Sequence, residues 1–479
     1  MAKRPNLLFV FSDQQSWDML GCYGNDAIKT PRLDVFADRA VRFNHCVSTA
    51  PVCTPWRGML LSGQHPLHNG AVFNDWQMRP GNGQYLAEVL RDAGYRCGWV
   101  GKWHLYGGRR DRPVPPGPLR YGFDDRFLTN NCTLEYRAGR SWYWDESGAR
   151  RCYDKWEPDA QTDQAIAFLD ESADDDRPFA LFVSWHPPHN WTCPSDRFPR
   201  RWTYEAPEQW MDLYGLDDVQ LRPGAADTEE QRQIYRGHYA LCSNLDHNFG
   251  RLLDRLDQLA MTDQTLTVYT SDHGDTLRSV PGEDREHKRQ PVSTSCRVPM
   301  LMAGPGLTAR ASELIFSGLD MMPTLLGALG VDPSASCHGR DLSDAIARDD
   351  DDAVDETPLF LASDDRIDWR GLYTRRYTYS FGVEGDRFNK LFDRADGAYE
   401  LVNHFDDPDY ADVQADLHAR AVGWMERFGD RFVPFEKILN RCLNAPPTDG
   451  ELVHTQEDAT TRGRPVDLLD GVPGLLDQQ

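Results

Sequence analysis

Three shortages narrow the reading of this 479-residue chain. Positive charge is scarce. The chain has 52 Lys and Arg against 75 Asp and Glu, a net charge of −23, which repels phosphate backbones and anionic lipid and argues against nucleic-acid and membrane partners. Long apolar runs are missing too. Asn6 to Phe11 (NLLFVF) and Phe179 to Val183 (FALFV) fall far short of the ~18 residues of a membrane span. Asp13 breaks the first run before a signal-peptide core of ~7–15 residues is complete. The 11 cysteines are scattered and contain no Cys-x-x-Cys pair, so a structural zinc site and a compact disulfide framework both lack support, and reduced thiols in the cytoplasm are expected.

What is present is a globular composition. Hydrophobic residues make up 40%, with 14 Trp, 18 Tyr and 21 Phe, too much for a disordered chain, and the length suits roughly three domain-sized units or, equally, one large α/β domain with a small one appended. Four apolar runs share a pattern: each ends abruptly in chemically capable residues. They are Leu7 to Phe11 before Ser12-Asp13-Gln14, Cys97 to Val100 before Gly101-Lys102-Trp103-His104, Phe179 to Trp185 before His186-Pro187-Pro188-His189, and Leu266 to Thr270 before Ser271-Asp272-His273. Amphipathic helical periods over 84–93, 162–171 and 230–260 fall between these runs. The alternation predicts a large, mostly parallel sheet sandwiched by helices, with all four polar clusters at the carboxyl edge where such sheets bind ligands.

Residues 107–158 carry many Gly, Pro, Arg, Trp and Tyr without a clear period and read as a long surface excursion. The acidic stretch 349–356 reads as a linker or exposed loop. Strand-like segments at 359–362 and 373–381, then a helical stretch at 411–428, predict a small C-terminal α+β subdomain. The expected division is a catalytic α/β domain over 1–350, the subdomain over 357–440, and an arm or tail over 441–479 that is rich in Pro, Asp and Gly.

Cys53-Thr54-Pro55-Trp56-Arg57 has the form of a helix start, with Pro55 in the first turn and Gly63 at the end. A group at Cys53 there faces the positive end of the helix dipole, which favours an anion. This segment resembles the C-x-P-x-R maturation signature of the formylglycine-dependent sulfatases, a family within the alkaline-phosphatase-like superfamily. The likeness continues in order along the chain. Asn6 to Asp13 is similar to that family's opening strand, Gly101 to His104 to its G-K-W-H segment, and Ser184 to His189 to its strand followed by P-H. Tyr239, Asp246 and Gly250 fall on a helix like the one before its second metal segment, here Ser271 to Asp275, and Lys288 is followed by Arg297-Val298-Pro299 and Gly304-Pro305-Gly306.

The resemblance implies an alkaline-phosphatase-like fold and hydrolysis of sulfate monoesters. It implies that a maturation enzyme oxidises Cys53 to formylglycine, whose hydrate supplies the nucleophilic oxygen and whose sulfated hemiacetal collapses to release sulfate. Asp13, Gln14, Asp272 and His273, together with the group at Cys53, would hold one divalent cation, with Ca2+ ahead of Mg2+ or Mn2+. Gln14 departs from the second aspartate common among relatives, supplying an amide oxygen without charge. Arg57 and Lys102 would stabilise the anionic oxygen at position 53, and His104 would hydrogen-bond the hydrate or help its collapse. His189 would give the leaving alcohol its proton, with His186 as local competitor and Lys288 binding sulfate beside the leaving oxygen. Arg289 is a candidate to share that task. Substrate-binding candidates are Lys102, His189, Lys288, Asn74 and Trp185, with Trp56, Trp142, Trp144 and Trp191 as further sugar-stacking aromatics, and a sulfated carbohydrate is favoured over a small aryl sulfate. Two competing readings are a phosphonate or phosphate ester hydrolase on the same scaffold and a catalytically silent binder of anionic glycans.

Overall fold

The computed structural model describes residues 4–191, 203–282, 287–362, 368–382 and 387–431. Its centre is a sheet of 11 strands. In chain order these are β1 (Asn6–Asp13), β2 (Val41–Val47), β3 (Arg96–Lys102), β4 (Arg126–Asn130), β5 (Trp142–Trp144), β6 (Arg150–Cys152), β7 (Phe179–Pro188), β8 (Thr265–Ser271), β9 (Arg297–Val298), β10 (Met300–Ala303) and β11 (Arg310–Ser317). The spatial order is β11-β2-β10-β8-β1-β7-β3-β4-β5-β6, with β9 on β2. β8, β1, β7, β3 and β4 run parallel to one another. The carboxyl ends of four apolar runs therefore meet at one edge, as the sequence pattern predicts.

Every residue of β1, β7 and β8 is buried, because the sheet is covered on both faces, and the central strands are accordingly rich in apolar residues, with Thr265, Thr267 and Thr270 of β8 among the buried polar ones. Parity sorts the two faces. Phe9, Phe11 and Phe182 join one core with Trp56, Met59 and Leu60, whereas Leu8, Val10 and Val183 join the other with Phe168, Leu245, Phe249 and Leu256. The first face is packed by helix α1 (Cys53–Ser62), closed by Gly63 in the left-handed conformation (φ 62°), and by α2 (Leu86–Asp92). The second face is packed by α3 (Glu157–Ala173) and α4 (Glu229–Gln258).

Helix starts explain where the expected boundaries shift. α3 begins five residues before the expected 162, since Pro158 sits in its first turn with Glu157 and Asp159, a combination that favours a helix N-terminus. α4 begins where the Thr228 side chain accepts from the Gln231 N–H.

Two expectations are corrected. The 107–158 excursion is not only surface loop, since it supplies β4, β5 and β6 and lengthens the sheet. The acidic stretch is tethered: Asp351 accepts from Arg310 at 2.8 Å and from Ser312 at 2.6 Å, so it is held against the start of β11.

The C-terminal unit is an antiparallel sheet of β12 (Glu356–Leu361), β13 (Trp369–Thr374), β14 (Tyr377–Gly382) and β15 (Lys390–Asp393). Helix α5 (Ala411–Phe428) covers it through Leu417 and Ala421 against Leu372, Tyr379 and Leu391. The single strand expected at 373–381 is instead a hairpin. The Thr374 hydroxyl accepts from the Tyr377 and Arg376 N–H groups at 2.8 and 3.3 Å and turns the chain. The 441–479 arm or tail lies outside the described residues.

Candidate active site

The carboxyl edge of β1, β3, β7 and β8 assembles a buried cluster around the first turn of α1. A bulge between Phe11 and Asp13 ends the regular register of β1 on β7 and delivers Asp13, which is fully buried. Cys53 opens α1, and Arg57 lies one turn later on the same face. β3 delivers Lys102, and Gly101 has a reason to be glycine: with φ 106°, a Cβ there would sit 2.1 Å from the Ser184 carbonyl oxygen of β7. Asp272 and His273 follow β8.

Asp13 Oδ2 accepts from Lys102 Nζ at 2.6 Å and from Arg57 at 3.0 Å. The same guanidinium donates to Asp272 at 3.2 Å and to the Ser184 hydroxyl at 2.7 Å. The Cys53 sulfur sits among these groups, 3.6 Å from Asp13 Oδ1, 3.2 Å from His273 Nε2 and 3.4 Å from Lys288 Nζ. Lys288 Nζ also donates to His189 Nε2 at 3.0 Å. His189 Nδ1 faces the Asn190 carbonyl at 2.6 Å. A carbonyl only accepts, so the neutral ring carries its proton on Nδ1 and leaves Nε2 free to accept from Lys288. His104 lies beside the thiol with a left-handed backbone (φ 56°). Its Nε2 meets Asp75 at 3.3 Å and its buried Nδ1 has no hydrogen-bond partner.

Charge is divided unevenly. Burial pushes the Asp13 carboxyl up, but Lys102 and Arg57 outweigh it and hold the group well below the usual carboxylate range. Burial and the neighbouring Asp13 charge push Asp272 up to about 7. Burial and Asp13 also raise the Cys53 thiol, yet Lys102, Lys288 and His273 together bring it well below its ordinary value. Burial and Lys288 hold His189 well below the ordinary imidazole range.

The donor set fits one divalent cation. Ligand atoms of Asp13, Cys53, Asp272 and His273 lie within 4.8 Å of one another. Gln14 adds an independent sign: its Nε2 donates to Asp275 at 2.7 Å while its buried Oε1 has no partner, and a buried carbonyl oxygen without a donor calls for an explanation such as a cation. His273 Nδ1 faces the Gly274 carbonyl at 3.0 Å, which turns Nε2 toward the carboxylates.

Of the residues singled out from the sequence, Asp13, Gln14, Cys53, Arg57, Lys102, His104, His189, Asp272, His273 and Lys288 converge here. Trp185 does not. It follows Ser184, which faces Arg57, so parity sends its ring to the opposite face of the sheet, fully buried in the core with Leu8 and Val10, closed to substrate. Trp56 and Trp191 are likewise buried, whereas Trp142 and Trp144 are half-buried. Asn74 is at the site, but its side-chain oxygen accepts from the Thr54 N–H at 3.1 Å, an orphan donor at the start of α1. His186 is pinned by Glu157 at 2.5 Å, both fully buried. The Arg289 guanidinium lies over the Phe73 ring.

Sequence reasoning missed Asp75 and Arg110. Arg110 grips Asp75 through two hydrogen bonds of 2.9 and 2.8 Å, and Asp75 in turn meets His104. No spacing signal joins residues 75, 104 and 110, which only the folded loops bring together.

The chain resembles known proteins in sequence and in fold. The sulfatase family model matches residues 5–331. Over 449 residues the chain is 30% identical to an ulvan-active sulfatase of Formosa agariphila, covering 91% of this chain and 84% of that protein. It is 27% identical over 461 residues to an endo-4-O-sulfatase of Bacteroides thetaiotaomicron, covering 84% and 88% of the two chains. The solved structure of a yidJ sulfatase from Bacteroides fragilis superposes with a TM-score of 0.79 at 27% identity, over 90% of this chain and 97% of that one. The chain belongs to the sulfatase family and is a sulfuric ester hydrolase.

Proposed function

We propose that this enzyme releases inorganic sulfate from a sulfated carbohydrate, with the side chain at position 53 as nucleophile after conversion of Cys53 to formylglycine by a maturation enzyme. The observation that carries the reading is the placement of Cys53, whose sulfur lies 3.2 to 3.6 Å from His273, Lys288 and Asp13. The hydrate of a formylglycine at position 53 would attack sulfur with one hydroxyl oxygen, displacing the alcohol, and its second hydroxyl, once deprotonated, would break the carbon–oxygen bond to release sulfate and restore the aldehyde, a route closed to a thiol. Asp13, Gln14, Asp272 and His273 are the residues that would hold the cation, and Ca2+ suits this oxygen-rich set. When bound, it supplies a Lewis acid for sulfuryl oxygens.

The protein's own groups do the rest. Arg57 and Lys102 fix Asp13 and place positive charge beside the nucleophile, where charge developing on non-bridging oxygens is stabilised without reorganisation. Lys288 Nζ and His189 Nε2 share one proton across 3.0 Å and deliver it to the departing alcohol oxygen. His104 Nδ1, buried and without a partner, accepts the proton that must leave position 53.

A carbohydrate is the favoured substrate class because relatives at 30 and 27% identity include an ulvan-active sulfatase and an endo-4-O-sulfatase. The half-buried Trp142 stands near the edge that carries Lys102, its carbonyl accepting from Asn130 at 3.1 Å, with one face of its ring already covered by the Arg150 guanidinium. Nine free cysteines among the described residues support a reducing, cytoplasmic setting. Among the described residues no helix is long and apolar enough to cross a membrane.

The test compares sulfate release from sulfated oligosaccharides, an aryl sulfate and a matched aryl phosphonate, using converted enzyme and its Cys53→Ala variant. Sulfate release that vanishes in Cys53→Ala and is faster on oligosaccharide than on aryl ester is expected. Undiminished turnover by Cys53→Ala would remove the nucleophile assignment, and preference for phosphonate would remove the substrate class.

A further inference from the structure

The segment that carries Lys288 is fastened at several points, and two of them belong to the C-terminal unit. On the catalytic side, the carbonyl of His287 accepts from the Thr276 N–H at 2.7 Å. On the other side of Lys288, the carbonyl of Arg289 accepts from the Trp369 indole N–H at 2.9 Å. Trp369 opens β13 and is fully buried. Arg289 has a left-handed backbone (φ 73°), a conformation that a side-chain-bearing residue keeps only when its surroundings hold it there.

Four residues further on, Glu400 repeats the arrangement. Its buried carboxylate accepts from the Ser293 N–H at 2.6 Å, from the Thr378 hydroxyl of β14 at 2.6 Å and from Arg394 at 2.8 Å. Both ends of 289–293 are thus tied to the C-terminal unit, one directly to β13 and the other through Glu400, which Thr378 of β14 holds. A lysine ammonium on a flexible four-carbon stem gains little orientation from its own side chain, so the position of Lys288 Nζ against Cys53 and His189 depends on where its backbone is held.

We propose that Trp369 and Glu400 are positioning residues for Lys288, and that the C-terminal subdomain serves the reaction by setting the reach of this ammonium into the sulfuryl site. The proposal rests on the assignment of Lys288 to the sulfate group, and the test separates the two. It does not require either residue to touch substrate.

The experiment is a double-mutant cycle on the converted, Ca2+-loaded enzyme with an aryl sulfate, using Trp369→Phe, Lys288→Ala and the pair. Trp369→Phe keeps the buried ring and deletes one hydrogen bond. It is expected to lower kcat/KM about three- to tenfold, the range for a single net hydrogen bond, and by less than twofold when Lys288 is already Ala, because residues acting through one another are not additive. Calorimetric titration with inorganic sulfate should weaken by a similar factor in Trp369→Phe and not in the Lys288→Ala background. Equal losses in both backgrounds, or none in the first, overturn the proposal by making Trp369 a packing residue. Full activity in Lys288→Ala overturns the Lys288 assignment itself, and the positioning role with it. Glu400→Gln is the second variant should Trp369→Phe fail to fold. It tests the other anchor by the same cycle, with the same Lys288-dependent loss expected and additivity again refuting it.

Discussion

Replacing Gln14 by glutamate exchanges one buried atom for another of nearly equal size, yet the structure assigns it a large, pH-dependent cost. Gln14 is fully buried, and its Nε2 donates to Asp275 Oδ2 at 2.7 Å. Burial would raise Asp275, but His287, His238 and the Tyr204 hydroxyl hold it well below the usual carboxylate range, so it stays ionised. In the metal-free protein the introduced carboxyl must then keep its proton to preserve the hydrogen bond. Holding a group of ordinary value ~4.3 neutral at pH 7 costs about 3.7 kcal/mol, and at pH 5 about 1 kcal/mol. The sign follows from linkage: the folded state binds a proton that the unfolded chain releases above ~4.3, so stability of Gln14→Glu falls relative to wild type as pH rises. Urea unfolding in chelator at pH 5, 6 and 7 measures the deficit. A deficit that is constant with pH, or that grows toward acid, would refute the reasoning and leave only a packing defect. Saturating Ca2+ should narrow the gap, since a cation favours the charged form.

Arg57→Ala leaves Asp13 and Asp272 facing one another, fully buried, without their shared guanidinium. A loss of about 3–5 kcal/mol is expected in chelator by urea unfolding, and a loss below ~1 kcal/mol would contradict the charge balance described here. Removal of the cation by chelation should stop sulfate release, and its return should restore it. Because Asp272 is pushed up to about 7 and must shed its proton to bind metal, the half-saturating Ca2+ concentration should be higher at pH 6 than at pH 8. Equal half-saturation at the two values would count against Asp272 as a ligand.

Much of the site was legible in the sequence because each central strand is a continuous apolar run with an abrupt polar end, and parallel pairing puts those ends together. Asp13, Lys102, His189 and Asp272 were legible this way, and Cys53 and Arg57 through the likeness of their segment to the C-x-P-x-R signature. What was hidden follows from two physical limits. Residues in one strand alternate between faces, so Trp185 and Ser184 cannot both see Arg57, and parity stays open until one of them is placed. Contacts such as Asp75 with Arg110, or Trp369 with the Arg289 carbonyl, join separate loops with no local period to mark them. The β13–β14 hairpin was hidden because its two-residue turn is Arg375-Arg376, without the Gly, Asn or Pro that usually announce a turn.

The order of the central strands also sets a clock. β1 is made first, yet it is sandwiched between β7 and β8, whose last residues are more than 170 and 250 positions later in the chain. At about 5–20 residues per second of synthesis, roughly ten to fifty seconds pass between β1 and β8. Through that interval α1, whose ten residues are all buried in the finished fold, lacks most of the sheet that covers it. Under the proposed conversion, a maturation enzyme would have to reach Cys53, only 1% exposed in the folded protein, before β8 closes onto β1.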